Sequence, residues 1–416
     1  MGSRMVGIAL SASLFVFPAL AEDTIRIAHI DPLSGGGASI GESALKTFQY
    51  LADELNANGG LNGKRVEWVG FDNKLDPQIS LVQAQKAADQ GFRIVTQGAG
   101  SSVAAALSDW VTKYNDRNPG KQIIYLNFGA VDPALTNDKC SYWHFRFDAN
   151  SDIKMSALTN FMKDRVGVKK VYLINQDYSF GQSVHAQARA MLNEKRPDIE
   201  IVGDELHPLQ KVTDFSPYIA KIKASGADSV ITGDWGQDFA LLLKAATDAG
   251  LQTDWYTYYG YLPGGPTAIK QTGLTHRVFV IAEGLPNSAP DAAQKWEADF
   301  RAKLGVDLSR QISNEMRMLA KAVAESNSDD PKAIAQKLEG MTVEAFDGGD
   351  TAMRKDDHQI FEDMYIASFG PLDPGAKFDE EGTGWGWKTI GIIKAKDTIL
   401  PTTCKMERPQ RTTGNP

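Results

Sequence analysis

Asp31-Pro32-Leu33-Ser34-Gly35-Gly36-Gly37, running into Ala38-Ser39-Ile40-Gly41, is a turn of small residues between two different hydrophobic patterns. Before it, residues 23–30 form an apolar run that reads as a strand. After it, apolar residues recur at helical spacing from about 38 to 57. Gly59-Gly60-Leu61-Asn62-Gly63-Lys64 then turns the chain into a second strand, 65–71. The pattern repeats with a helix at 76–88, a buried strand at 93–96, a turn at Gly98-Ala99-Gly100-Ser101-Ser102, a helix near 103–114 and a strand at 122–126. Strands and helices alternating at this spacing predict a parallel sheet with right-handed crossovers, whose loops at the strand ends suit a small ligand.

A similar series begins after Phe145-Arg146-Phe147. It runs through a helix at 152–166, strands at 170–175, 199–205, 229–232 and 253–259, and helices at 182–194, 216–224 and 236–249. Two consecutive α/β halves of like plan predict two lobes facing each other across a cleft. A strand at 278–283 is expected to cross back toward the first lobe, where helices at 292–304 and 311–326 would complete it. From about Met341 the chain reads as short polar strands, including Gly382-Thr383-Gly384-Trp385-Gly386-Trp387, that bridge or cap the lobes.

Of the 416 residues, the first 21 read as a cleaved export leader. Arg4 precedes an apolar stretch too short to span a bilayer, and Ala19-Leu20-Ala21 is a small-x-small cleavage pattern. The remainder is too long for one ordinary core and suits two lobes. The net charge of −8 argues against a nucleic-acid partner. The two cysteines, Cys140 and Cys404, are expected to pair in an oxidising compartment, fastening the tail to the first half of the chain.

Catalytic patterns fare poorly. Gly37-Ala38-Ser39-Ile40-Gly41 matches the G-x-S-x-G elbow of hydrolases, but it follows the first strand, before a sheet exists beneath it. A serine hydrolase using Ser39 is therefore the minor alternative. Ile40 takes the third glycine position of a dinucleotide fingerprint, and Gly63-Lys64 lacks the rest of a phosphate loop. The six histidines show no metal-like spacing, so no metal, cofactor or catalytic residue is assigned.

Binding features are stronger. Ser101 and Ser102 open a helix whose N–H groups and dipole suit a carboxylate. The second half places Asp177, Tyr178 and Phe180 at one strand end, Asp234 and Trp235 at another, and an aromatic run of Trp255, Tyr256, Tyr258, Tyr259 and Tyr261 at a third. Strand side chains alternate faces, so half of that run belongs to the core. The strand ends should face the cleft, where rings with polar tips hold an organic ligand.

Taken in order, 31–41, 58–64, 98–102, 129–136, 177–181, Thr213-Asp214-Phe215 and Gly226-Ala227-Asp228 resemble the substrate-binding proteins of ABC importers, in the branched-chain amino-acid (leucine/isoleucine/valine-binding) family. The resemblance covers most of residues 23–330. It implies a type I periplasmic binding fold, an α/β architecture of two Rossmann-like lobes with parallel sheets joined by three crossover hinge segments. It also implies a periplasmic, monomeric receptor that closes on a small molecule and docks on ABC permease subunits. The family's ligand contacts carry over to Ser101 or Ser102, to the Gly129–Ala130 backbone and to Phe180. Two positions depart from the pattern. Val131 stands where a threonine contacts the ammonium group, and Tyr259 where a glutamate pairs with it.

The expected ligand set is thus Ser101, Ser102, Gly129, Ala130, Val131, Tyr178, Phe180, Asp234, Trp235 and Tyr259. Asp234, or failing it Asp177, would replace the missing glutamate for an amino acid. Otherwise the ligand is an aromatic or other carboxylic acid without ammonium, and the departures lean that way. The expected division is a leader at 1–21, a first lobe at 22–146 and 278–345, and a second lobe at 147–277 and 346–416.

Overall fold

The computed structural model describes residues 24–305, 309–345 and 348–409; the leader and residue 23 lie outside them. The first series is β1 (Thr24–Asp31), α1 (Ala38–Ala57), β2 (Arg65–Asp72), α2 (Pro77–Asp89), β3 (Ile94–Gln97), α3 (Ser101–Arg117), β4 (Ile124–Asn127) and β5 (His144–Arg146). Its five strands are all parallel, in the order β2-β1-β3-β4-β5. The inner strands β3 and β4 are buried along their whole length, as expected of a parallel sheet covered on both faces. Asp76 starts α2 by accepting the N–H groups of Gln78 and Ile79, with Pro77 in the first turn.

The second series is α4 (Ser151–Met162), β6 (Lys170–Gln176), α5 (Ser179–Lys195), β7 (Glu200–His207), α6 (Ser216–Ser225), β8 (Ser229–Thr232), α7 (Gly236–Asp248), β9 (Asp254–Thr257), α8 (Gly265–Thr272) and β10 (Val278–Ala282). Then follow α9 (Asp291–Leu304), α10 (Arg310–Ser326), α11 (Pro331–Leu338), β11 (Thr342–Glu344), β12 (Asp350–Met353), β13 (Ile360–Phe361), β14 (Met364–Pro371) and β15 (Trp385–Ile393). The second sheet has seven strands, β15-β14-β10-β9-β8-β6-β7, with β14 and β15 antiparallel additions at one edge. Among the described residues no helix is long and apolar enough to cross a membrane.

Both halves close their first helix over the preceding strand end in the same way. A Cβ at Gly41 would stand 2.1 Å from the Pro32 carbonyl, and one at Gly181 would stand 1.9 Å from the Gln176 carbonyl. Gly41 is therefore required by packing, which accounts for the hydrolase-like spacing around Ser39 without any nucleophile. Ser39 itself is exposed on the first turn of α1.

Three expectations need correction. The strand at 278–282 does not return to the first lobe; it pairs with β9 and β14, and all five of its residues are buried in the second sheet. The return begins only after Ala282. Nor are the late strands mere caps. β14 and β15 extend the second sheet, with Trp385 and Trp387 packed on Phe369, while β11–β13 form a small separate sheet. The predicted strand at 253–259 also stops at Thr257, which leaves Tyr258 and Tyr259 in the loop beyond it.

Among the described residues the chain passes between the lobes at 147–150, 283–290 and 362–363, and once more after β15. The Thr402 hydroxyl donates to the Thr136 carbonyl at 2.9 Å, and Cys404 is bonded to Cys140. The first lobe's core centres on Ile27, Phe48, Trp68, Leu126 and Leu319. Apolar clusters lie on both faces of the second sheet, and one of them takes in Ala99 and Val131 from first-lobe loops, with Ile40 and Leu75 against it. The lobes are therefore in apolar contact across the cleft.

Candidate ligand-binding site

At the first lobe's edge the loop after β3 is shaped by a buried acid. The Asp31 carboxylate accepts the N–H groups of Gly98 at 3.2 Å and Ala99 at 2.9 Å. Burial, outweighing these donors, lifts its pKa to about 7. Gly98 has no room for a side chain, since a Cβ would meet the Phe128 ring at 2.3 Å. Gly100 has φ +90°, so the chain turns sharply into α3, whose start no side chain caps. Ser101 is buried, and its hydroxyl oxygen accepts the Asp132 N–H at 3.2 Å, leaving the hydroxyl proton to be donated elsewhere. Asn127 folds the neighbouring turn by accepting from Gly129 and Ala130 N–H and donating to the Ala130 carbonyl.

The opposing wall is aromatic. Trp235 donates its indole N–H to the Tyr178 hydroxyl at 2.8 Å, and its carbonyl receives the Gln176 and Gln210 amides. Phe180 lies edge-on to Tyr178 and Tyr258 and tilted against Tyr259. Tyr259 donates its hydroxyl to Asp148 at 2.9 Å. The rim is close as well. A Cβ on Gly36, in the loop after β1, would stand 3.1 Å from Gln210 Oε1 and 3.4 Å from Gln237 Oε1.

These walls enclose a cavity of about 70 Å³ between the lobes. That is far below the roughly 300–1,000 Å³ of pockets for drug-sized ligands, so the space suits a small solute. A larger groove of about 550 Å³ runs between α1, α9 and α10 on the outside of the first lobe. The smaller cavity is the better candidate because it lies at the strands' carboxyl ends, where open α/β sheets bind ligands.

Ser101, Gly129, Val131, Tyr178, Phe180, Trp235 and Tyr259 all line this cavity. Ser102, Ala130 and Asp234 do not. Ala130 is buried behind the wall, and Ser102 lies further round the first turn of α3. Asp234 is wholly buried and paired with His207 Nε2 at 2.8 Å, so it cannot be the ammonium partner proposed for it. Burial raises the Asp234 carboxyl and the paired acid raises His207, a self-contained pair beneath the wall. Asp177 is exposed and holds Gln182 instead.

Sequence reasoning missed Asp148, Gln311, Ser309, Phe128, Leu262 and Ile40, which also line the cavity. Asp148 belongs to the first crossover. Lys154 reaches its Oδ1 at 3.0 Å and also bonds Glu283 of the second crossover. Gln311 from α10 closes the set by donating to Glu283 at 2.6 Å. Burial and the acidic Glu283 push the Asp148 carboxyl well up, while the two acids hold Lys154 above its ordinary value against burial.

A periplasmic binding protein family model matches residues 24–372. The Leu/Ile/Val-binding protein homolog 4 of Brucella abortus is 31% identical over 419 residues, covering 97% of this chain and 98% of that one. The Leu/Ile/Val-binding protein of Escherichia coli is 24% identical over 351 residues, covering 83% and 90%. The closed crystal structure of a leucine-, isoleucine-, valine-, threonine-, and alanine-binding protein from Brucella ovis superposes with a TM-score of 0.81 at 31% identity, covering 93% of this chain and 100% of that chain. A solute-binding protein of an R. palustris ABC transporter, in complex with benzoate, shares the fold with a TM-score of 0.77 at 17% identity, covering 92% and 99%.

Proposed function

The chain belongs to the periplasmic binding protein family, and from that premise we propose that it is the receptor of an ABC importer for a small carboxylate-bearing solute, an amino acid or a small organic acid. One observation carries this reading. The uncapped start of α3 and the Ser101 hydroxyl face, across one cavity, the aromatic wall of Tyr178, Phe180, Trp235 and Tyr259. The first pair supplies N–H and O–H donors with a positive dipole for an anion. The second supplies apolar area for the body of the solute. A solute touching both lobes stabilises their closed arrangement by its differential affinity, and the closed form would be what the permease subunits engage. The family and the leader expected at 1–21 support a receptor exported to the periplasm, where it would act as a monomer. The exported-hydrolase alternative is not favoured: Ser39 is not among the residues that line the cavity, and the relatives are named as binding proteins.

The test is a thermal-shift screen of the purified protein against amino acids and aromatic acids. A true solute at a hundred times its Kd should add about 2.7 kcal/mol. Failure of every carboxylate to stabilise the protein, or turnover of an ester, would sink the proposal. Ser101→Ala should weaken the best solute about tenfold or more, since a hydrogen bond to a charged group contributes about 1.5–3 kcal/mol. Isothermal titration checks this.

A further inference from the structure

We propose that Asp148 is the specificity-determining residue of this cleft, taking the ammonium group of an α-amino acid whose carboxylate lies against Ser101 and the start of α3. The inference deepens the receptor reading and rests on it. Asp148 is buried at the cavity wall, where Oδ2 accepts the Tyr259 hydroxyl while Oδ1 is paired with Lys154 at 3.0 Å. Lys154 cannot neutralise it alone, because the same ammonium serves Glu283. Two carboxylates share one cation here.

The surrounding charges do not restore the balance. Arg146 is the other buried cation nearby, and its guanidinium is held by neutral groups: the Gln359 Oε1, the Asp132 carbonyl and the Thr136 hydroxyl. Asp132 and Asp152 add two more acids, and Asp152 Oδ1 is buried without a hydrogen-bond partner. Asp148 and Glu283 thus share Lys154, while Asp132, Asp152 and Asp357 all lie in the field of Arg146. A solute bearing a carboxylate alone would deepen this deficit of positive charge in a site shielded from water. An ammonium group on the same solute relieves it. The expected glutamate is absent at Tyr259, but that tyrosine instead orients the Asp148 carboxylate through its hydroxyl.

Isothermal titration of the full-length mature protein tests this, pairing leucine with 4-methylpentanoate, and phenylalanine with 3-phenylpropanoate. The wild type should bind at least one amino acid a hundredfold or more tighter than its des-amino partner. Asp148→Asn should lose at least thirtyfold for that amino acid and bind the des-amino acid at least as tightly as the wild type does. This variant leaves Lys154 and Glu283 as a balanced pair, and its melting temperature reports whether it folds. Tyr259→Phe keeps every charge; it should cost several-fold for the amino acid only, which provides a second reading if Asp148→Asn does not fold. Retention of amino-acid affinity within threefold in Asp148→Asn, no selective loss in Tyr259→Phe, or a wild-type preference for the des-amino acids overturns the inference and leaves the receptor reading standing. Failure of every carboxylate in the thermal-shift screen, by contrast, removes the receptor reading itself.

Discussion

Glu315→Gln should stabilise the protein by about 4–5 kcal/mol at pH 9 and by less than about 1 kcal/mol at pH 5, as read from denaturant unfolding at the two pH values. Glu315 sits on α10, wholly buried, and neither carboxylate oxygen has a hydrogen-bond partner. Burial, with the acidic Asp31 nearby, raises its pKa from the ordinary 4.5 to about 8. A folded state that holds its proton more tightly than the unfolded chain keeps this contribution in full below about pH 4.5. The contribution is lost as pH rises through about 8, at about 1.4 kcal/mol per pH unit across the window. Glutamine keeps the shape and carries no charge to bury. Asp31, raised to about 7, acts in the same sense: its contribution is present in full below its ordinary 3.8 and is lost as pH rises through about 7. His29, lowered by burial to about 4, works in the opposite sense: its contribution is present above its ordinary 6.5 and lost as pH falls through about 4. The Glu315→Gln variant should therefore remove the part of the fall in stability that Glu315 causes between about pH 4.5 and 8, and an unchanged fall across that window would refute the assignment.

Breaking the Cys140–Cys404 bridge has an effect of comparable size. The sequence separation is 264 residues, with the two Cα atoms 5.7 Å apart. For a loop of that length the chain-entropy estimate is about 5 kcal/mol. The Cys140→Ser, Cys404→Ser double variant should therefore lose about 3–5 kcal/mol against the oxidised parent in urea unfolding. Equal midpoints would show that the tail's other contacts suffice. Those contacts exist: the Arg408 guanidinium reaches Glu339 and the Lys355 carbonyl, and Leu400 O accepts from Arg354. They lie near the surface, where each contributes little.

The sheets were legible because parallel strands buried on both faces are continuous apolar runs, and Ile124-Tyr125-Leu126 cannot be mistaken for a surface segment. The strand at Val278–Ala282 was read correctly as a strand but given to the wrong sheet. Periodicity reports burial, and nothing in five apolar residues names the neighbour they will pair with. Ser101, Tyr178, Phe180 and Trp235 were found because a strand end followed by a helix start leaves a local signal. Asp148 and Gln311 lie on a crossover and on a helix about 160 residues further along, so their meeting depends on how the lobes dock. The one available signal was an acid, Asp148, two residues after Arg146 in the largely aromatic run 142–149. Asp234 erred the other way: it stands at the end of β8, yet His207 at the end of β7, two strands away, pairs with it and holds it inward.

Gly36 has a use beyond its flexibility. With Gln210 and Gln237 standing across from its bare Cα position, the rim acts as a gauge whose tolerance is a single missing side chain. A bulky residue there would be a doorstop, propping the jaws apart without touching any atom that grips the solute. The unliganded posture and the grip itself could then be studied separately in one and the same chain.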